Sequence, residues 1–132
     1  MHSGSSHYYL KEESEKQRPE FGRISEIEKL IRSFPKVSFI AGHAGLFWQG
    51  EVRKRLKDCQ NVWVDTSFQP PSAIKKLVKI FGAEKVMYAS DRPWGFGRPH
   101  QETVKRACKG DRSLEKMIFF DNAADLLKIC NK

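Results

Sequence analysis

The sequence predicts an α/β fold in which three to four parallel strands are covered by outer helices. Beyond residue 22, short apolar segments alternate with longer amphipathic ones, and each clear strand ends at a polar residue. Strands that alternate with helices are typical of βαβ units and of a parallel sheet. The chain has 132 residues, enough for one modest domain with a single core, and no linker divides the sequence.

The first helix and strand are predicted from residues 24–41. Apolar residues recur there at helical spacing, Ser25 and Glu28 are placed to form a capping box, and Pro35 ends the helix. The run 37–41, rich in strand-forming residues, predicts the first strand, which leads into a glycine-flanked histidine.

The same alternation continues along the rest of the chain. A second helix over about 47–58, supported by an i,i+4 pair of Glu51 and Arg55, leads into the strand 62–64. The remaining predicted elements are a helix from Pro70 and Pro71 to Gly82, the strand 85–89, and three helical stretches at about 99–109, 113–120 and 122–130.

Composition narrows the possible functions. Lys and Arg total 24 against 16 Asp and Glu, a net charge of +8, which suits either a nucleic-acid or anionic-membrane binder or an ordinary basic surface. Many of the basic residues fall on predicted outer helices, and no nucleic-acid motif is present, so we expect no nucleic-acid partner. The sequence has neither a long apolar run nor the apolar core of a signal peptide, so we expect no membrane contact and a cytoplasmic location.

The cysteines do not suggest a disulfide framework. Cys59, Cys108 and Cys130 are odd in number, widely spaced and without a C-x-x-C pair. We therefore expect small buried side chains in a reducing compartment rather than bridges or zinc ligands.

Three successive strands are each followed by a residue that can do chemistry. His43, Asp65 and Asp91 stand at these strand ends. In parallel α/β folds, functional residues gather just past the carboxyl ends of the strands, so the three side chains are predicted to share one edge. This edge is the candidate site.

Each of these residues has a structural alternative. His43 can act on a ligand, or cap the next helix or bond within the core; the spacing supports both equally. Asp91 can ligate a metal such as Zn²⁺ and accept a proton from water, or can form a turn. Asp65, with Ser67 beside it, can contact substrate or position water, although such residues more often cap the next helix.

The loop after Asp91 supplies further candidates. Arg92 can bind a substrate carboxylate or pair with Asp91, and Trp94 with Phe96 can wall a pocket or pack on the rim. The two histidines outside the strand ends, His7 and His100, are predicted to be solvated surface residues. The first six residues fit either a flexible leader or the end of a strand.

Three motifs occur in a fixed order. A strand ending in a glycine-flanked histidine occupies 39–45, an Ala-Ser-Asp-x-Pro ending occupies 89–93, and a helix beginning with Asn-Ala occupies 122–127. From Ile24 to Ile129 the chain resembles the amidohydrolase-related family, in the branch that includes aminocarboxymuconate-semialdehyde decarboxylase. The resemblance implies the C-terminal half of a (β/α)₈ TIM barrel.

The resemblance also implies roles. Asp91 is similar to the family's eighth-strand metal ligand and proton acceptor, and His43 to the sixth-strand histidine that acts on substrate or water. His2 is similar to a fifth-strand metal ligand. A divalent metal, for which we expect Zn, would then support hydrolysis of a C–N or C–O bond in a small molecule. One alternative is decarboxylation of an unsaturated acid. Another is a non-catalytic remnant or basic binding module that acts through partners.

The family's first-strand His-x-His pair has no counterpart in this sequence. A complete barrel needs roughly 250 residues. We therefore expect one partial barrel domain over 1–132, with 1–22 as a strand end plus loop and 23–132 as three β/α units and C-terminal helices. Such a chain is expected to be truncated, to bind metal weakly, to be inactive alone, and to self-associate or bind a complementary N-terminal half-barrel.

Overall fold

Four parallel strands form a sheet whose spatial order follows the sequence. The computed structural model describes residues 1–5, 19–95 and 97–129. This sheet confirms the predicted α/β fold. The strands are β1 (His2–Gly4), β2 (Phe39–Leu46), β3 (Val62–Asp65) and β4 (Val86–Met87).

The helices follow the predicted order with shifted ends. They are α1 (Ile24–Ser33), α2 (Gln49–Leu56), α3 (Pro71–Phe81), α4 (Gly97–Cys108), α5 (Arg112–Lys116) and α6 (Asn122–Leu126), with a π-helical turn at Met117–Asp121 and 3₁₀ turns at Pro19–Gly22 and Ala83–Lys85. β4 is shorter than predicted because the N–H of Tyr88 donates to the carbonyl of Ile118, at 2.8 Å, instead of to a strand. Within the described ranges, no helix combines the length and the apolar character that crossing a bilayer requires.

The predicted capping box at the start of α1 is wrong. The helix begins at Ile24, which is fully buried, so Ser25 lies inside the first turn and the N-cap residue is Arg23, with no side-chain cap. Glu28 instead receives hydrogen bonds from Arg32 at 2.9 Å and Arg55 at 3.1 Å. These hydrogen bonds lower the pKa of Glu28.

Two other local predictions about side chains are confirmed. Arg55 Nε lies 3.6 Å from Glu51 Oε2 in α2, the predicted i,i+4 pair. Cys59 and Cys108 are buried and free, as expected, and burial raises the pKa of the Cys108 thiol to about 11. Cys130, like His7 and Phe96 and most of the loop predicted within 1–22, lies outside the described residues.

The two sides of the sheet differ in what covers them. Along a strand, side chains alternate between the two sides, and the register aligns Ala41 with Val64 and Val64 with Val86. All three are fully buried against the helices, so we call this the helix-covered side. Its packing partners include Ile31, Leu56, Ile74, Leu77, Val104 and Ile118, all at most 1% exposed.

The opposite side keeps partial contact with solvent. Ile40 pairs in register with Trp63, and both are only half-buried. Asp65, two residues beyond Trp63, faces the same way. Lys85 Nζ lies 3.5 Å from the centroid of the Trp63 ring, which shields part of the indole. We call this the open side, and its carboxyl-terminal edge holds the candidate site.

Candidate active site

His43 stands on an unusual stretch of backbone. His43, Ala44 and Gly45 have consecutive positive φ values of 62°, 44° and 77°. Non-glycine residues adopt this region at a cost of order 1–3 kcal/mol, and such residues cluster at functional sites. A Cβ on Gly45 would overlap Val52 of α2, and one on Gly42 would lie 2.9 Å from the carbonyl oxygen of Met1. The glycines therefore let β1 and α2 close tightly around the histidine.

Asp65 ties the ends of β2 and β3 together. Its Oδ1 accepts hydrogen bonds from the backbone N–H of His43 at 2.9 Å, from the backbone N–H of Ser67 at 3.0 Å and from the Ser67 hydroxyl at 2.6 Å. The next helix, α3, has Pro70 at its N-cap, so Asp65 does not cap it. The predicted contact of Asp65 with substrate stays a prediction.

The His43 side chain is held from several directions. Its Nδ1 lies 2.7 Å from Ser67 Oγ, and its backbone carbonyl accepts from Gln69 Nε2 at 2.6 Å. Its ring packs against Phe68 with the centroids 5.5 Å apart, and against His2 in a T-shaped contact with the centroids 4.9 Å apart. His43 therefore bonds to the β3 end rather than capping α2, whose N-cap residue is Trp48.

His2 is arranged as a ligating imidazole would be. Its Nε2 lies 3.2 Å from the carbonyl oxygen of Gly4, and because a carbonyl only accepts, Nε2 carries the proton and Nδ1 is bare. Although the residue stays exposed to solvent, partial burial of the ring and the neighbouring His43 lower the pKa of His2; the charge of Asp91 acts in the opposite direction. A neutral imidazole whose N–H donates to a carbonyl is the form that binds metals.

Asp91 follows β4 in a tight turn. Its φ is +53°, and its carbonyl accepts from the N–H of Gly95 at 2.6 Å. A Cβ on Gly95 would overlap the carbonyl of Ser90, so the turn requires glycine there. The carboxylate is close enough to interact electrostatically with His2. The structure thus brings residues from β1, β2 and the end of β4 to one edge.

Arg92 and Trp94 both lie at the surface of this turn. Trp94 is 60% exposed, and Arg92 is exposed as well. Among the described residues, no ion pair joins Arg92 to Asp91, so the simple pairing considered for them is not observed. Their predicted roles in substrate binding stay predictions.

The donor set suits a divalent metal in kind but not in number. No group of three or more His, Cys, Asp or Glu side chains that could hold a metal occurs within the described ranges. His2 and Asp91 supply a nitrogen and a carboxylate, which zinc accepts, whereas catalytic zinc usually has three protein ligands. A working centre needs at least one further ligand from beyond the described residues.

The prediction for His100 is wrong: it is buried, not a solvated surface residue. Its Nε2 lies 3.3 Å from Thr66 Oγ1 and its ring stacks on Tyr88, with burial lowering its pKa. It borders a cavity of about 130 Å³ that Phe68 and Ser90 also line. The burial of His100 could have been predicted from helical spacing. It lies on the same face of α4 as the buried residues Val104, Ala107 and Cys108.

A family model described as "Amidohydrolase" matches residues 19–129. The chain belongs to this amidohydrolase family. Proteins of the family are enzymes and typically use a divalent metal. Among curated proteins, no sequence matches the chain significantly.

Two solved structures share the fold of this amidohydrolase chain. The 5-carboxyvanillate decarboxylase LigW from Sphingomonas paucimobilis gives a TM-score of 0.65 at 19% identity, covering 85% of this chain and 41% of its own. Amidohydrolase 2 from Bifidobacterium longum subsp. infantis gives a TM-score of 0.62 at 20% identity, and the match covers 80% of this chain and 45% of the Bifidobacterium chain. The chain thus spans less than half of either TIM-barrel neighbour, a share compatible with the predicted C-terminal half.

Proposed function

We propose that this chain carries part of a metal-dependent hydrolase site that acts on a C–N or C–O bond of a small molecule. The observation that supports it is the contact between the His2 and His43 rings at the sheet edge where Asp91 follows β4, with His2 already oriented by the Gly4 carbonyl. Family membership supports enzymatic chemistry of this kind.

The residues would divide the work by their chemistry. His2 and Asp91 would hold the cation, for which we infer zinc, and a divalent cation acidifies water and polarises the scissile bond. Asp91 would accept the proton of the attacking water. His43 would stabilise the developing oxyanion or return a proton to the leaving group, and Arg92, Trp94 and Asp65 would contact the substrate.

Decarboxylation of an unsaturated acid is the second candidate. The structural similarity to a 5-carboxyvanillate decarboxylase favours it, as does the exposed Arg92 beside Asp91, because a guanidinium suits a substrate carboxylate. In this reaction His43 would supply the proton that replaces the lost carboxylate on carbon. Analysis of the products separates the two reactions, because only decarboxylation releases carbon dioxide.

The binding partner that we propose for the chain is a complementary N-terminal half-barrel. The open side of the sheet leaves Ile40 and Trp63 half-exposed, and unpaired strand edges favour association. A complementary half would cover these side chains and supply the further metal ligands. The chain alone is then expected to bind zinc weakly and to show no appreciable turnover.

Zinc binding and turnover test the proposal together. The chain would be titrated with zinc against a chromogenic chelator, alone and mixed with an N-terminal half-barrel from an amidohydrolase, and the mixture assayed on small amides and esters. His2→Gln or Asp91→Asn should weaken zinc binding at least about tenfold, as losses at metal sites commonly do. The matched control is Asp58→Asn, an exposed carboxylate in the turn after α2, which should change nothing. Zinc affinity unchanged by both site variants would contradict the proposal.

A further inference from the structure

The hydrogen bonds around His43 determine which atom is the donor in each. Asp65 Oδ1 receives two backbone N–H groups, from His43 and Ser67, and these can only donate. A proton on Oδ1 would point at one of these donors, so this oxygen is a pure acceptor. The third contact, 2.6 Å to Ser67 Oγ, is therefore a hydrogen bond donated by the serine.

The serine hydroxyl has one hydrogen, and Asp65 takes it. Toward His43 the Ser67 Oγ can offer only a lone pair, so the 2.7 Å contact requires a proton on Nδ1. Turning the ring over would place a carbon opposite Ser67 and lose this bond. The Phe68 and His2 rings packed against the imidazole further limit such a turn.

We propose that Asp65 and Ser67 are positioning residues that hold neutral His43 in the Nδ1–H form and leave Nε2 bare. The neighbouring His2 is held in the opposite form, because the Gly4 carbonyl takes its Nε2–H. Two imidazoles in contact thus carry their protons on different nitrogens. The usefulness of this arrangement for catalysis rests on the proposed function: a bare Nε2 on His43 can accept a proton from water or substrate, and only after that step can it donate to an oxyanion, a leaving group or carbon. The tautomer itself does not depend on the reaction.

The test is a nitrogen-15 NMR measurement of the histidine rings in the chain. It would be made at about pH 9, well above the ordinary imidazole pKa of about 6.5, with a chelator present so that no metal occupies either ring. His43→Gln assigns the resonances. The ratio of the Nδ1–H to the Nε2–H form should be at least about fivefold higher for His43 than for free histidine, the bias that one ordinary hydrogen bond sustains, and the Nδ1–H form should predominate.

Variants separate positioning from general structure. Ser67→Ala should shift His43 toward Nε2–H, the form that free neutral histidine favours, whereas Ser67→Thr, which keeps the hydroxyl, should restore the Nδ1–H form. Ser90→Ala removes a hydroxyl at the next strand end and should leave the tautomer unchanged. A wild-type His43 that is mainly Nε2–H, or one that Ser67→Ala does not alter, would overturn the proposal.

If Ser67→Ala does not fold, the tautomer of His43 in the wild-type chain still tests the positioning role. Failure of the proposed function would give a different set of results. Absent zinc binding or turnover, with His43 still in the Nδ1–H form, would remove the metal chemistry and leave the positioning role of Asp65 and Ser67 intact.

Discussion

The two sides of the sheet have different roles, and adjacent residues of one strand contribute to both. Val64 is fully buried on the helix-covered side, while the next residue, Asp65, lies on the open side and binds three donors with one oxygen. The first side is apolar and close-packed; the second is half-buried and joined by short hydrogen bonds. Because strand side chains alternate, one short strand contributes both to folding stability and to the site. Substitutions on the helix-covered side are therefore expected to lower the folding stability strongly. Those on the open side are expected to lower it less and to rearrange the structure locally.

The largest effect is expected on the helix-covered side. Leu77 of α3 is fully buried, and Leu77→Ala should lower the free energy of unfolding by about 2–5 kcal/mol, through lost apolar burial and the cavity left behind. Urea unfolding followed by circular dichroism would measure it. The control is Ile80→Ala on the same helix, 37% exposed, for which a loss smaller by at least about 1 kcal/mol is expected, because the partly exposed side chain leaves no closed cavity. Equal losses from the two variants would contradict the close packing of α3 on the helix-covered side.

A smaller effect is expected at the open side. Asp65→Ala leaves the N–H groups of His43 and Ser67 without their acceptor, which should cost about 1–3 kcal/mol. The amide resonances of these two residues should move, while those of the helix-covered side should not. Asp58→Ala, which removes an exposed carboxylate, provides the comparison. If Asp65→Ala is as neutral as this control, Asp65 does not hold the two strand ends together.

The smallest effect concerns pH and is expected from the buried His100. Burial lowers its pKa in the folded state below the ordinary value of 6.5, so above pH 6.5 both folded and unfolded states are neutral there. As the pH falls through 6.5 the unfolded chain binds the proton first, and stability decreases until the folded pKa is passed. His2 acts in the same direction.

Urea midpoints between pH 8 and pH 5 would measure this loss. His100→Phe keeps a ring to stack on Tyr88 and removes the titrating group, so it should flatten part of the decrease. Wild-type midpoints that rise as the pH falls over this range would contradict the direction of the His100 shift.

Local patterns predicted the elements better than their ends. Apolar periodicity identified α1 and α3, and the strand-rich runs identified β2 and β3, because one face of each must be buried. The capping box failed because the buried Ile24 set the helix start, and tertiary burial outweighs a cap worth about 1 kcal/mol. β4 ended early because Tyr88 found its acceptor in the π-helical turn, far along the chain.

The sequence by itself determined the α/β class, the order of strands and helices, and the placing of His43, Asp65 and Asp91 at strand ends. These follow from short-range periodicity and from the rule that parallel strands share a carboxyl edge. Only the tertiary structure decided that Asp65 and Ser67 hydrogen-bond to His43, that the His2 ring contacts the His43 ring, and that His100 is buried. Those facts depend on directions and distances between residues 22 to 41 positions apart, which no local pattern records.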